Sequence, residues 1–426
     1  MSGESSVFPA WSRFVPRLAC LVAGLAFTVH ACLWIPRLTY GFAMYYTYAR
    51  LALEGDSLDR VYDDVYFNAK VHEFGFDLTD EPNNAPTAAL AYMPVAWMEP
   101  VWAKIVWSIV SLSAFVYALK VLFEVSAIRM TGNAGLWLLT LLFLWKPAYD
   151  NVAFGQVYFI LLLIFALSMK SLLRARVAGT AIPLALAILL KGYGGVPLLL
   201  LAFRRKWKET FIVVPLILIV IIAALPLLGI HSWAAFVSHV LPSLGAIPAH
   251  AHVAYQTING LLRHLFTYDS SWLPHPAVVL PGTIVTLMSY ATSIALIVLV
   301  LIRSRLETPP EKFLSFSAAL AAGVVTAPLA EEYHFVLFIP LIFALAARFE
   351  DQISSGEWKK SSALIPAIAL LVMASPLNYK SLQYTTFPII LLAYPKLYAG
   401  LAILWYARGI MNRSDADLKR VPLQIV

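Results

Sequence analysis

Eleven apolar runs, near residues 15–35, 100–124, 134–147, 155–170, 178–203, 210–228, 284–302, 313–329, 334–347, 362–375 and 385–407, divide this 426-residue chain. Several are long enough to cross ~30 Å of hydrocarbon as helices of ~20 residues. Inside a bilayer every backbone polar group needs a partner within the protein, which leaves helices and closed barrels as spanning structures. Alternating strands of barrel type are absent. Charged residues make up 13% of the chain, about half of what a soluble surface requires. The expected fold is an all-α polytopic membrane protein.

Basic residues gather in the gaps between these runs: Arg129; Lys170, Arg174 and Arg176; Arg204, Arg205, Lys206 and Lys208; Arg303, Arg305 and Lys312; Arg348, Lys359 and Lys360; Arg408, Arg413, Lys419 and Arg420. This is the positive-inside pattern. It accounts for the net charge of +7 without a nucleic-acid partner and places these clusters in the cytoplasm. Both loops around 178–203 are basic, so that run must turn back on itself. Lys191, with Gly192, Gly194 and Gly195 behind it, marks the break, predicting two short helices that meet at Lys191 near the outer face. The total becomes about 12 spans with both termini cytoplasmic. They form one transmembrane domain over 1–411, followed by a polar cytoplasmic tail over 412–426. Arg13 and Arg17 precede the first run without a small-residue cleavage site, which predicts a retained span. Cys20 and Cys32 share that run, giving neither a disulfide framework nor a metal-type spacing.

Two outer segments are long. The first, 36–99, carries Glu54, Asp56, Asp59, Asp63, Asp64, Glu73, Asp77, Asp80 and Glu81. The second, 229–283, carries six of the nine histidines and one acid, Asp269. Glycosyl transfer needs a base for the acceptor hydroxyl and a cation for the leaving phosphate, and the outer segments supply both types. Charges at or within membrane helices are costly and mark function by default. Lys146 and Asp150, Lys191, the Glu331, Glu332 and His334 group, and Lys396, which has no evident partner, are of this kind. His250 and His252 form an H-x-H pair too sparse to indicate a metal; a divalent ion is possible but not indicated, and no other cofactor is expected. Tyr45 and Tyr46 open the acidic segment, where they fit either an interfacial belt or a substrate wall.

Read in order, MYYTYARLALEG with VYDD behind it, NNAPTAALAYMP, AKIVWSIVSL, NVAFGQVYFILLL, AGTAIPLALAILLKGYGGVPLLLL with RRKW, YQTINGLLRHLF and APLAEEYHFVLFIPLIFAL resemble glycosyltransferase family 87. Its members have the GT-C fold and include polyprenyl-phosphomannose-dependent mannosyltransferases. The resemblance runs from about residue 40 to 345. It implies a GT-C-like bundle and substrate-binding roles for Gln156, Lys191, Gln256, Asn259, Arg263 and His334. Asn84, Glu332, Tyr45 and Tyr46 complete the expected binding set. The family often carries its catalytic Asp just before the aromatic pair, about where Gly41 stands here. The base is therefore expected elsewhere in the first outer segment: Asp80 first, because it precedes the return to the membrane, with Asp77, Asp63 and Asp64 as alternatives.

The expected activity is an inverting transfer of a sugar, mannose or another hexose or pentose, from a polyprenyl-phosphate carrier to a lipid or glycan acceptor. Lys191 and Arg263 would hold the phosphate at the outer face of the cell membrane. The rival from another class is a secondary transporter or lipid-linked sugar flippase. Transporters usually show matching broken helices in both halves, and the break at Lys191 has no counterpart in the second half.

Overall fold

The computed structural model describes residues 11–56, 58–244, 252–268, 276–354 and 360–412. His250, Asp269, Lys359, Arg413, Lys419, Arg420 and all of the tail beyond Asn412 lie outside the described residues. Among the described residues the regular structure is helical throughout.

After α1 (Trp11–Trp34) comes the 36–99 segment, the one expected as the first outer segment, which is itself largely helical: α2 (Phe42–Glu54), α3 (Asp64–Glu73) and the short α4 (Met93–Ala96). There follow α5 (Pro100–Ser126), α6 (Asn133–Phe143), α7 (Lys146–Ala153) and α8 (Tyr158–Leu173). The apolar run 178–203 divides into α9 (Val177–Lys191) and α10 (Gly195–Phe203). Gly192 closes α9 at φ +72°, in the left-handed region where a side chain would be strained. The break therefore falls at Lys191, as the glycines demand.

After α11 (Trp207–Leu228) come the short α12 (Ile230–Ala235) and α13 (Leu241–Ser243), then α14 (Ile258–Phe266) and α15 (Gly282–Arg303). The last third comprises α16 (Pro309–Val325), α17 (Ile339–Ser354), α18 (Lys360–Ala374) and α19 (Pro395–Met411). Thr308 and Glu311 start α16 with a reciprocal capping box, which satisfies two of the free N–H groups at its N-terminus.

Among the described residues five helical stretches are long and apolar enough to cross a membrane: Phe14–Trp34, Pro100–Ser126, Trp207–Leu228, Gly282–Arg303 and Glu332–Ile353. Four apolar helices among them are shorter: Asn133–Phe143, Tyr158–Leu173, Val177–Lys191 and Ala363–Ala374. The described helices therefore bear out a helical membrane protein without reaching the expected count of about twelve spans.

The layers follow from which faces are apolar. Helix α16 is buried along nearly its whole length and forms the centre with α8, α10, α17 and α19 packed around it. At the periphery, α11 exposes Ile219 and Ile222, and α15 exposes Leu287 and Ile294, each at 60% or more. Apolar faces of that extent suit hydrocarbon and not water.

Candidate functional site

A cavity of about 1370 Å³ opens between the first outer segment, the α9–α10 break and the loop joining α16 to α17. Its construction starts at Gly41, the N-cap of α2. Gly41 sits at φ +79°, and a Cβ there would run into the Gln156 amide. Glycine is thus favoured by its conformation, and any side chain there would have to displace the Gln156 amide. Having no side chain, it cannot cap its own helix, and the free N–H groups of the first turn need an acceptor.

Asp80, 39 residues downstream, is that acceptor. Its Oδ2 accepts from the Gly41 N–H, and from the Met44 N–H at 3.2 Å. Its Oδ1 accepts from the Glu81 N–H at 3.0 Å. Three of its roughly four acceptor positions are filled, which leaves room for one more donor. Burial raises its carboxyl to about 6, against the lowering effect of these N–H groups. On α3, Asn68 accepts the Asp80 N–H at 2.9 Å and fixes the approach of the strand.

Lys191 faces the same space from the end of α9. Its ammonium donates to Asn84 Oδ1 at 2.6 Å and lies 5.4 Å and 5.8 Å from the ring centres of Tyr45 and Tyr158. Asn84 in turn donates to Met44 Sδ at 3.3 Å, so Asp80, Met44, Asn84 and Lys191 form one connected chain. Thr87 donates to the Leu189 carbonyl at 2.7 Å and ties the returning first segment to the end of α9.

Gln156 follows Gly155, whose φ of +57° forms the turn between α7 and α8. Tyr92 and Trp107 both donate to the Gly155 carbonyl, at 3.0 and 2.8 Å, and their rings stack 3.8 Å apart. Beneath this turn the fully buried Lys104 donates to Thr39 Oγ1 at 2.9 Å, to the Ala153 carbonyl at 2.8 Å and to the Arg37 carbonyl. It fastens the strand entering Gly41 to the strand entering Gln156, a function that sequence reading missed because Lys104 looks like one more charge in a helix.

Next to Tyr158, Glu331 receives the Tyr333 hydroxyl at 2.7 Å. His334 Nδ1 lies 3.1 Å from the Glu331 carbonyl. Burial pushes the Glu331 carboxyl up. The sequence pointed to Glu332 for substrate binding; the side chain in the cavity lining is its neighbour Glu331. Glu332 turns away into an ion pair with Lys396 at 2.9 Å, with the two side chains 7% and 0% exposed. Tyr379 also donates to Glu332, at 3.2 Å. Lys396 therefore has a partner, one that lies 64 positions away in sequence and could not be seen there.

Of the expected residues, Asp64, Asp80, Asn84, Gln156, Lys191 and His334 line the cavity. Tyr45 lies behind it, stacked on Tyr92 with centres 4.5 Å apart. Tyr46 donates to the Met98 carbonyl at 2.7 Å, and Asp77 is exposed outside the lining. Asp63 caps α3 by accepting from Val65 and Tyr66. Gln256 is fully buried, donates to the Ala393 carbonyl at 2.9 Å and accepts the Lys396 N–H at 3.1 Å. Asn259 donates to the Pro328 carbonyl at 3.1 Å. Arg263 is 1% exposed, bonded to Asn259 at 3.2 Å and Thr286 at 2.8 Å. These three residues of α14 and its approach are outside the cavity lining. The lining adds Lys380, Glu81, Tyr193, Tyr255 and His252. No group of three or more metal-ligating side chains occurs among the described residues.

The cavity lining is chemically mixed: Asp80, Lys191, Gln156 and Glu331 supply polar groups, and Val196, Leu198, Leu199 and Ile297 of α10 and α15 supply apolar ones. No curated protein and no solved structure matches the chain. The model of glycosyltransferase family 87 matches residues 84–331, which is more than half of the sequence. It begins at Asn84, includes Gln156 and Lys191 and ends at Glu331. The chain belongs to glycosyltransferase family 87, and is a membrane glycosyltransferase.

Proposed function

We propose that this chain transfers a sugar from a polyprenyl-phosphate carrier to the hydroxyl of a lipid or glycan acceptor on the non-cytoplasmic face, with inversion at the anomeric carbon. The observation that carries the proposal is a carboxylate and an ammonium, Asp80 and Lys191, on one cavity with an acceptor position still open on Asp80. The acceptor hydroxyl gives its proton to Asp80 as its oxygen bonds to the anomeric carbon. The bond from that carbon to the phosphate oxygen breaks, and the electron pair leaves on the polyprenyl phosphate. Lys191 neutralises the charge that gathers there, the type of stabilisation that acts most strongly away from water. The apolar side chains that α10 and α15 add to the lining suit the lipid part of the donor, and the sugar is mannose or another hexose or pentose.

Asp80 is favoured over its rivals because Asp63 is occupied as a helix cap and Asp77 is outside the cavity lining. Asp64 lines the cavity but is exposed. The test is transfer of labelled sugar from polyprenyl-phosphate donors by the purified full chain, followed by the anomeric configuration of the product. Product of inverted configuration supports the reading. Retained configuration would rule out a single in-line displacement and overturn the proposed mechanism.

A further inference from the structure

Four rings from three separate parts of the chain form one wall of the cavity: Tyr158 at the start of α8, Tyr193 in the α9–α10 break, and Tyr333 and His334 after the α16 loop. Tyr158 is the hub, with ring centres 4.4 Å from His334, 5.5 Å from Tyr333 and 6.0 Å from Tyr193. An aromatic cluster is by itself ordinary core packing. What separates this one from core is its polar atoms.

Tyr158 has no exposed surface, and its hydroxyl, which sits beside the Tyr193 hydroxyl, makes no well-formed hydrogen bond among the described residues. Gln156 is 2% exposed, and its Oε1 is likewise unpartnered. Buried polar atoms are almost always paired, so each exception calls for a cause. Among the described residues several buried atoms lack partners, but these two alone belong to residues that line the cavity. They stand two residues apart on the turn that Tyr92 and Trp107 hold at Gly155, beside Lys191.

We infer that this wall is the subsite for the sugar ring of the donor. The apolar face of a pyranose or furanose packs on the Tyr193, Tyr333 and His334 rings that cover Tyr158, and its hydroxyls pair with the Tyr158 hydroxyl and Gln156 Oε1. This rests on the proposed transfer and names how the donor sugar is recognised. The ligand class is a neutral polyhydroxylated ring with one apolar face, since a ring wall of this kind offers stacking area and few polar contacts. Lys191, 5.8 Å from the Tyr158 ring centre, adjoins the wall where a phosphate attached to that sugar would fall.

The experiment compares full-length wild type and Tyr158→Phe in the transfer assay, using first the polyprenyl-phosphate sugar that wild type turns over and then its singly deoxygenated analogues. Removing the hydroxyl leaves the ring in place. A drop in kcat/KM of roughly tenfold is expected with the parent donor. With one deoxy analogue, the one lacking the hydroxyl that Tyr158 contacts, the two proteins should perform alike. Equal activity of the two proteins on the parent donor would overturn the inference. So would an equal loss on every analogue, which is what a structural role would give. Absence of turnover by wild type on every donor would instead overturn the transfer reading itself. Matching thermal unfolding of the two proteins checks that Tyr158→Phe is folded.

Discussion

The carboxylate of Asp80 caps the helix that begins at Gly41, accepting the Gly41 N–H across 39 residues of chain. The position where relatives often carry an acid before the aromatic pair holds glycine, and an acid from the far end of the same segment occupies the space in front of it. A side chain at 41 would need the positive φ and would displace the Gln156 amide, and Asp80 brings a carboxylate to the same helix end without either cost.

This capping sets a pH dependence. Burial holds the Asp80 carboxyl at about 6, and a base must be ionised to accept a proton. The acid limb of kcat/KM should therefore fall about tenfold per pH unit below about pH 6. For stability the sign is opposite. Because the folded value lies above the ordinary carboxylate value, the buried charge costs stability above about pH 6, and the cost fades as pH falls toward 4. Thermal unfolding measured from pH 4 to 7 should show this component in wild type and lose it in Asp80→Asn.

Gly41→Ala should be damaging out of proportion to one methyl. Positive φ and the clash with Gln156 combine, and a strained backbone position of this type costs about 1–3 kcal/mol. A lowered unfolding midpoint, with weakened transfer, is the expected outcome of thermal-shift and activity measurements on the variant.

Lys191 and Arg263 should separate. Lys191→Ala removes the one cavity cation joined to Asn84 and should lower kcat/KM by about 10²–10³ with little change in unfolding temperature. Arg263 is buried against Asn259 and Thr286, so Arg263→Ala should act on stability, by about 1–3 kcal/mol for the polar groups it leaves unpaired. Donor KM and unfolding curves for both variants check the distinction.

The Glu332–Lys396 pair joins the segment before α17 to α19 in nearly complete burial. Lys396→Met leaves a buried carboxylate uncompensated and should cost about 3–5 kcal/mol. Replacing both residues, Glu332→Gln with Lys396→Met, should recover a large part of that loss in the same unfolding assay.

Much of the architecture could be read from sequence because solvent physics dictates it. Apolar runs and glycines at 192–195 are local features, and both the helical fold and the break at Lys191 follow from them. Local signals do not show where within an apolar run a helix ends, and α6 stops at Phe143 although its run continues to 147. Part of the cavity lining was legible: Lys191 and His334 as polar groups interrupting apolar runs, and Gln156 through the family resemblance. The site was not legible where tertiary partners decide. Glu331 and Glu332 are adjacent and chemically alike, and only the fold turns one to the cavity and the other to Lys396. Gln256, Asn259 and Arg263 share a sequence element with conspicuous polarity, yet their partners are carbonyls and hydroxyls within the protein.

The central claim is that Asp80 removes the acceptor proton, and Asp80→Asn tests it most directly. Asparagine keeps an oxygen for the Gly41 and Met44 N–H groups, so the cap and the fold should survive, as size-exclusion and thermal unfolding would show. Transfer of labelled sugar from a polyprenyl-phosphate donor should then fall by about 10²–10⁴, the usual contribution of a general base. Folded Asp80→Asn protein that transfers sugar at the wild-type rate would contradict the account.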